Sequence, residues 1–378
     1  MKIAQLSCSK CRTKIPVVFG MVSTLTCQSS GCGGNSFRVE IVKEPISLTC
    51  VACGRKVEAM GGAEISTVCR GCGSRVFTPG IANPDFKLLL IIRNRGIGDV
   101  LMTTAALPRL RMKYPDHAIC YAVDPDVEEL LLGNPYIDFR LPTDRGVKLT
   151  EWDIRIDLRQ KVEDYAVGDG VNKGDRLERF MKLCGVPVPP VPKMEIYLTR
   201  EERKWAETFY PVKRNLIVLG LTSASRFRAW PLGHFRKLTS MIDRNKCDVL
   251  LLSDTAICSD WFGAGIINAT GRLTIRQMCS LIERSSLVIS GDTGVSHIAA
   301  AFDKPAITLY GAIPPEVRCG HYPLTIPIYK EGIVPCVPCW DWQFATDEHL
   351  RKCKNEGPDC LLSISPEEVF EKLKEVLK

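Results

Sequence analysis

The 378-residue chain has no stretch near the ~18 consecutive apolar residues of a membrane span; the run Leu88–Ile92 is far too short. Its opening residues, Met1 to Ser7, lack the apolar core of ~7–15 residues that a secretory signal uses. Both absences point to a cytoplasmic protein, at most peripheral to the inner membrane, in a compartment where thiols stay reduced and bind metal. A third absence concerns cofactor. Gly96 and Gly98 open a glycine turn, but position 101 is Leu, so the dinucleotide fingerprint Gly-x-Gly-x-x-Gly is incomplete. A nicotinamide dinucleotide is thereby disfavoured.

What the chain does have is cysteine, in two matched sets. Cys8, Cys11, Cys27 and Cys32 form the first; Cys50, Cys53, Cys69 and Cys72 form the second. Moving the first set along by 42 positions superposes three of its members on the second set, and the fourth misses by two. Each reads as Cys-x2-Cys, a gap, and a second close pair, the spacing of a zinc ribbon. Disulfides are the rival account, and the expected reducing compartment argues against them. Closed four-thiolate sites leave no open coordination position, so structural rather than catalytic zinc is expected. Segments this short bury too little apolar surface to fold without metal.

Residues 1–85 carry ten Lys/Arg against five acids, out of a net +7 for the whole chain. That excess invites a nucleic-acid partner. Four thiolates around each divalent ion would cancel most of it, so nucleic acid is the less favoured partner.

From Phe86 onward the pattern alternates strand and helix. Strands are expected at 88–92, 118–123, 152–158, 216–221, 248–252, 287–289 and 306–309. Helices are expected at 100–114, 127–132, 232–242, 275–282, 295–302 and 366–377. Pro187 to Pro192 holds four prolines in six residues and reads as a linker. The chain then divides into ribbons at 1–43 and 44–84, a first α/β domain at 85–190 and a second at 191–378.

Three segments carry chemistry. Gly96-Ile97-Gly98-Asp99 is a strand-to-helix turn in which Asp99 reads first as a helix cap. Thr222 to Pro231 gathers hydroxyls with Arg226 and Arg228 before a helix, a composition suited to phosphate and also to an ordinary loop. Gly291-Asp292-Thr293-Gly294-Val295-Ser296-His297 is a second glycine turn opening an apolar helix, a ready anion site. His297 alone would read as a satisfied core histidine.

Together these segments resemble glycosyltransferase family 9, the family of the ADP-heptose lipopolysaccharide heptosyltransferases, over the roughly 290 residues that follow residue 87. The matching text is Ile91-Ile92-Arg93 to Gly96-Ile97-Gly98-Asp99-Val100-Leu101, Asn134 to Asp138, Arg228 to Phe235, and Gly291 to His297. The resemblance implies an α/β GT-B fold of two Rossmann-like domains behind the two tandem zinc ribbons. It implies inverting transfer of a sugar, heptose from ADP-heptose, from a nucleotide-diphosphate donor to an acceptor hydroxyl of a glycolipid or polysaccharide. Asp99 then becomes the general base. Gly98, Thr222, Arg226, Arg228, Asp254, Asp292, Thr293, Gly294, Val295, Ser296 and His297 become donor contacts, and no catalytic metal is expected. Family members often carry late cysteines where Cys336, Cys339, Cys353 and Cys360 stand here, which implies a third site for zinc or iron. The ribbons are no part of the family pattern. The alternative is a ribbon-bearing module that binds nucleic acid or protein, with a body that is inactive or acts on another acceptor.

Overall fold

The computed structural model describes residues 87–143, 152–159, 174–211, 214–223, 228–257, 260–311, 313–335, 337 and 358–378, together with eight short strands before residue 81. By packing, the chain divides into two units. One comprises Met1–Ile92, Arg111–Pro125 and Pro135–Asp157; the other comprises Arg93–Leu110, Asp126–Asn134 and Leu158–Lys378.

The first unit begins with strands β1 (Ile3–Cys8), β2 (Lys14–Val18), β3 (Ser23–Thr24), β4 (Ser36–Val39), β5 (Ile46–Cys50), β6 (Lys56–Ala59), β7 (Glu64–Ser66) and β8 (Val76–Gly80). They make two antiparallel sheets, in the orders β2-β1-β4-β7 and β3-β8-β5-β6. Of the eight N-terminal cysteines, Cys8 ends β1 and Cys50 ends β5; the other six, and with them the expected zinc ribbons, lie outside the described residues.

Behind them β9 (Lys87–Ile92), β10 (His117–Val123), β11 (Phe139–Pro142) and β12 (Ile154–Asp157) form a parallel sheet in the order β11-β10-β9-β12. Five consecutive apolar residues of β9 are buried, as a strand covered on both faces requires. Within Asn134–Asp138, the last residue is structural. Its carboxylate accepts the backbone N–H of Ile119 at 2.8 Å and pairs with Arg111.

In the second unit β13 (Asn215–Gly220), β14 (Cys247–Leu252), β15 (Ile266–Asn268), β16 (Leu287–Gly291), β17 (Ala306–Tyr310) and β18 (Thr325–Tyr329) form one parallel sheet. Its order is β15-β14-β13-β16-β17-β18, so the winding reverses between β13 and β16. Crevices outside the carboxyl ends of strands at such a switch point are where open α/β sheets bind ligands.

The expected helix at 100–114 is two helices, α1 (Ile97–Thr104) and α2 (Leu107–Lys113). Pro108 is the reason. It has no N–H to give the Thr104 carbonyl, and the chain tightens instead, with Ala106 N–H donating to Thr103 O at 3.1 Å. The expected helix at 127–132 is a single 3-10 turn at Glu128–Leu131. Helices α3 (Arg176–Leu183) and α4 (Arg200–Phe209) flank the proline run; α4 carries a capping box between Thr199 and Glu202.

Downstream come α5 (Leu232–Met241), α6 (Ile275–Arg284), α7 (Gly294–Ala301), α8 (Glu316–Cys319), α9 (Asp359–Leu362) and α10 (Pro366–Val376). The terminal helix buries Val369 and Leu373 in the core of the large sheet, and Trp230 Nε1 donates to Ile364 O at 3.0 Å beside it. Among the described residues no helix is long and apolar enough to cross a membrane.

Candidate active site

The site is assembled within the second unit. Gly96 stands before α1 with φ of 84°, a conformation that favours glycine, and a Cβ there would lie 3.1 Å from the Asp99 carboxylate. Asp99 does not cap the helix; no side chain caps α1. Its Oδ2 instead accepts from Arg93 Nη2 at 2.5 Å, and its Oδ1 from Arg176 Nε at 2.8 Å. Arg93 and Arg176 are themselves held over the Phe180 ring, at 5.4 and 5.7 Å from its centre. Burial opposes ionisation of Asp99, but Arg176, then Arg93, then Arg318 outweigh it and hold the carboxyl well below the usual carboxylate range.

The second glycine turn faces the first. Thr293 caps α7, its hydroxyl accepting the Val295 N–H at 3.3 Å, while Ser296 Oγ donates to Thr293 O at 2.7 Å. α1 and α7 cross where each has a glycine. A Cβ on Gly98 would fall 2.2 Å from the His297 ring, and one on Gly294 would fall 2.8 Å from Ile97. These two glycines exist to let the helices touch.

Asp292 is buried at the carboxyl end of β16. Arg318 Nε lies 3.4 Å and Arg228 Nη1 3.6 Å from its Oδ2, and His297 Nε2 lies 3.7 Å from its Oδ1. Burial works against its charge, and Arg318, Arg228 and His297 outweigh it, so this carboxyl too is held low. His297 goes the other way. Burial first, with help from Arg318, pushes it down to about 4 against the pull of Asp292, so the imidazole is neutral at pH 7.

Four guanidinium groups (Arg93, Arg176, Arg228 and Arg318) therefore surround two carboxylates with a neutral histidine between them. The net charge is two positive. Among the described residues, buried Arg318 Nε and Asp292 Oδ2 make no hydrogen bond. A buried positive surplus has the chemistry that suits a polyanion. It lies beside the switch point of the sheet.

Residues 175–334 match glycosyltransferase family 9 (heptosyltransferase). The matched stretch starts at the cap of α3 and holds Arg176, Arg228, Asp292, His297 and Arg318. The chain is 26% identical over 249 residues to lipooligosaccharide heptosyltransferase 2 of Haemophilus influenzae, covering 58% of this chain and 66% of that protein. Across the first curated relatives, it spans about two fifths to two thirds of their length.

By fold it is similar to the ADP-heptose LPS heptosyltransferase II of E. coli. The TM-score is 0.59 at 17% identity, over 77% of this chain and 98% of that one. A family 9 glycosyl transferase from Veillonella parvula gives a TM-score of 0.60 at 19% identity, over 78% and 97%. The body therefore has the GT-B-like α/β fold with parallel sheets.

The structure brings Gly98, Asp99, Arg228, Asp292, Thr293, Gly294, Val295, Ser296 and His297 together around α1 and α7. Thr222 and Asp254 lie at the ends of neighbouring strands, β13 and β14, where the Thr222 hydroxyl donates to the Asp254 carboxylate at 3.0 Å. Arg226 falls outside the described residues, as do Cys336, Cys339 and Cys353; Cys360 is half-buried on α9.

Sequence reasoning gave no role to Arg93, Arg176, Arg318 or Tyr322. A signal existed for Arg176. On α3 the buried face Arg176, Arg179, Phe180 puts two arginines where apolar residues belong. Arg318, on a one-turn helix, left no such trace.

Proposed function

We propose that this chain is an inverting glycosyltransferase that moves a sugar from a nucleotide-diphosphate donor to an acceptor hydroxyl. The observation that carries it is the buried arginine cluster around Asp99 and Asp292 beside the switch point. A diphosphate gathers negative charge as it leaves, and preorganised cations stabilise that charge most where water is excluded. The curated relatives are named as lipooligosaccharide and lipopolysaccharide heptosyltransferases, which favours ADP-heptose as donor and a lipopolysaccharide-type acceptor.

In the reaction the acceptor oxygen forms a bond to the anomeric carbon as the bond from that carbon to the phosphate oxygen breaks. The diphosphate leaves with the electron pair, and the hydroxyl proton passes to Asp99. A carboxylate held this low is a weak base towards an intact alcohol. It suffices once bond formation has made the acceptor oxygen cationic and strongly acidic, the late transfer that suits an oxocarbenium-like transition state. Arg228, Arg318 and the N-terminus of α7 would meet the departing diphosphate, with Thr222 and Asp254 beside the nucleoside. Catalysis by a bound metal ion forms no part of this scheme.

Structural zinc belongs to the eight N-terminal cysteines on their spacing, with a third zinc or iron at the late cysteine cluster. Peripheral contact with the inner membrane follows from a lipid-linked acceptor. The alternative, a binding module with an inactive body, gives no reason for a buried polycation. The test incubates the purified chain with ADP-heptose and with GDP-, UDP- and TDP-sugars, and reads products by mass spectrometry on acceptor glycolipid. Transfer with inversion supports the reading. Consumption of no donor overturns it.

A further inference from the structure

Two of the four clustered arginines ride on helices too short to fix their own positions. Arg176 is the first residue of α3, which has eight residues, and Arg318 lies on α8, which has four. Helices of this length are marginal without tertiary contacts. The two cations also repel. Burial depresses the Arg318 guanidinium, Asp292 opposes that, and Arg176 depresses it further. Each acts as well on the carboxylate that the other contacts: Arg318 helps hold Asp99 low, and Arg176 helps hold Asp292 low. Like charges at this range stay together only if something else holds them.

The elements that carry them meet end to end. Asp175 caps α3, its Oδ1 accepting the N–H of Leu177 at 2.8 Å and of Glu178 at 3.3 Å. Its Oδ2 is buried beside Gly320, the residue that follows α8. A Cβ on Gly320 would lie 3.1 Å from that oxygen and 2.8 Å from Glu316 O, so glycine is what lets α8 abut the first turn of α3.

One residue further on, His321 Nε2 lies 2.8 Å from Glu178 Oε1. Lys182 Nζ takes the other oxygen of Glu178 at 2.8 Å, and hydrogen bonds from Lys182 and His321 hold this carboxyl low. An ionised carboxylate only accepts, so Nε2 carries the hydrogen and donates it. The bond joins the two helices across 143 positions of sequence. Glu178 stands two residues past Arg176, and His321 three past Arg318. A partly buried pair of this kind contributes little stability by itself. Its consequence is geometric, because small misplacements of charged groups in a site are costly.

We infer that Glu178 and His321 are positioning residues: their bond ties the helix bearing Arg176 to the turn bearing Arg318 and holds two repelling cations together before an anion arrives. The inference rests on the proposed role of the arginine cluster in binding a diphosphate. Glu178 and His321 act through the two arginines and not on substrate.

The test measures binding of inorganic pyrophosphate to the full chain by calorimetry, a probe that carries the diphosphate charge without choosing a nucleoside. His321→Ala should weaken binding about tenfold, and Glu178→Ala, which removes the same bond from the other side, should match it. His321→Gln keeps an N–H donor for Glu178 and should restore most of the loss. In an Arg176→Gln background the repelling pair is already gone, so His321→Ala should cost nothing further. A loss that is equal in both backgrounds, that glutamine does not restore, or that never appears overturns the tie. A parent chain that does not bind pyrophosphate overturns the diphosphate reading itself, and the tie with it.

Discussion

The Tyr322 hydroxyl lies 2.7 Å from Nδ1 of His297, and that bond decides which nitrogen of the ring carries the proton. Burial pushes the Tyr322 phenol well up, so it keeps its hydrogen. Its other neighbour, the Met194 sulfur at 3.5 Å, is a weak acceptor, so the hydrogen goes to Nδ1. Nε2 then bears the ring's single N–H hydrogen and faces Asp292. Tyr322 is a positioning residue for a neutral donor in the site. Tyr322→Phe leaves a buried ring nitrogen unmet, at a cost of about 1–3 kcal/mol. Transfer should fall about tenfold in kcat/KM, and the ¹⁵N shift of Nδ1 should lose its hydrogen-bonded signature. An unchanged shift would show that Tyr322 merely packs.

Asp99→Asn keeps the shape of the side chain and removes its capacity to take a proton. The expected loss in kcat is about 10²–10⁴-fold, with donor affinity little changed. The asparagine also leaves Arg93 and Arg176 without their anionic partner. Donor binding by calorimetry therefore has to accompany the rate, and a variant that transfers sugar at the parent rate removes Asp99 from the chemistry.

Much of this site was legible, and the line between the legible and the hidden has a physical cause. Gly98, Asp99, Asp292 and His297 sit on glycine turns at strand ends, where local sequence dictates local geometry. Arg176 reaches Asp99 across 77 positions, and Arg318 reaches Asp292 from a one-turn helix; only tertiary packing brings them in. The break between α1 and α2 was written in Pro108 and obscured by the apolar periodicity that runs straight through it. The N-terminal duplication showed in cysteine spacing. The pairing of β3 with β8 and of β7 with β4 did not, because pairing between repeats leaves no mark on the periodicity of either.

Arg176→Gln tests the electrostatic side of the cluster. Arg176 is the strongest of the cations holding Asp99 low, so its removal raises the Asp99 carboxyl towards the ordinary range. The acid limb of the kcat/KM profile, where protonation of Asp99 stops transfer, should move to higher pH. The rate at pH 7 should drop as well, since one of four cations is gone. A drop in rate with a stationary acid limb would assign Arg176 to substrate binding alone.

Gly98→Ala puts a methyl where the His297 ring already stands. Neither α1 nor α7 can withdraw freely, because Gly294 is wedged against Ile97 on the same crossing. Overpacking of this kind costs about 1–3 kcal/mol. Thermal unfolding should show that loss, and donor binding should weaken more than the stability change explains, because the ring is forced off Asp292. A variant with parent-like melting and parent-like donor binding would mean that the crossing is loose.

His297 sets the response of the fold to mild acid. Its folded pKa lies at about 4, below the ~6.5 of an unfolded chain, so between these values the unfolded state binds the extra proton. Stability from this group is complete above about pH 6.5 and is lost progressively as the pH falls through 4. The full effect is on the order of 3 kcal/mol. Asp99 and Asp292 are held low, so their contributions fade only below about pH 4, and the upper window separates the histidine from these two carboxylates. Urea titrations at pH 7.5, 6, 5 and 4.5 should show a midpoint that declines in the parent and changes much less in His297→Gln. Equal decline in both proteins would place the acid sensitivity elsewhere and return His297 to the status of a neutral bystander.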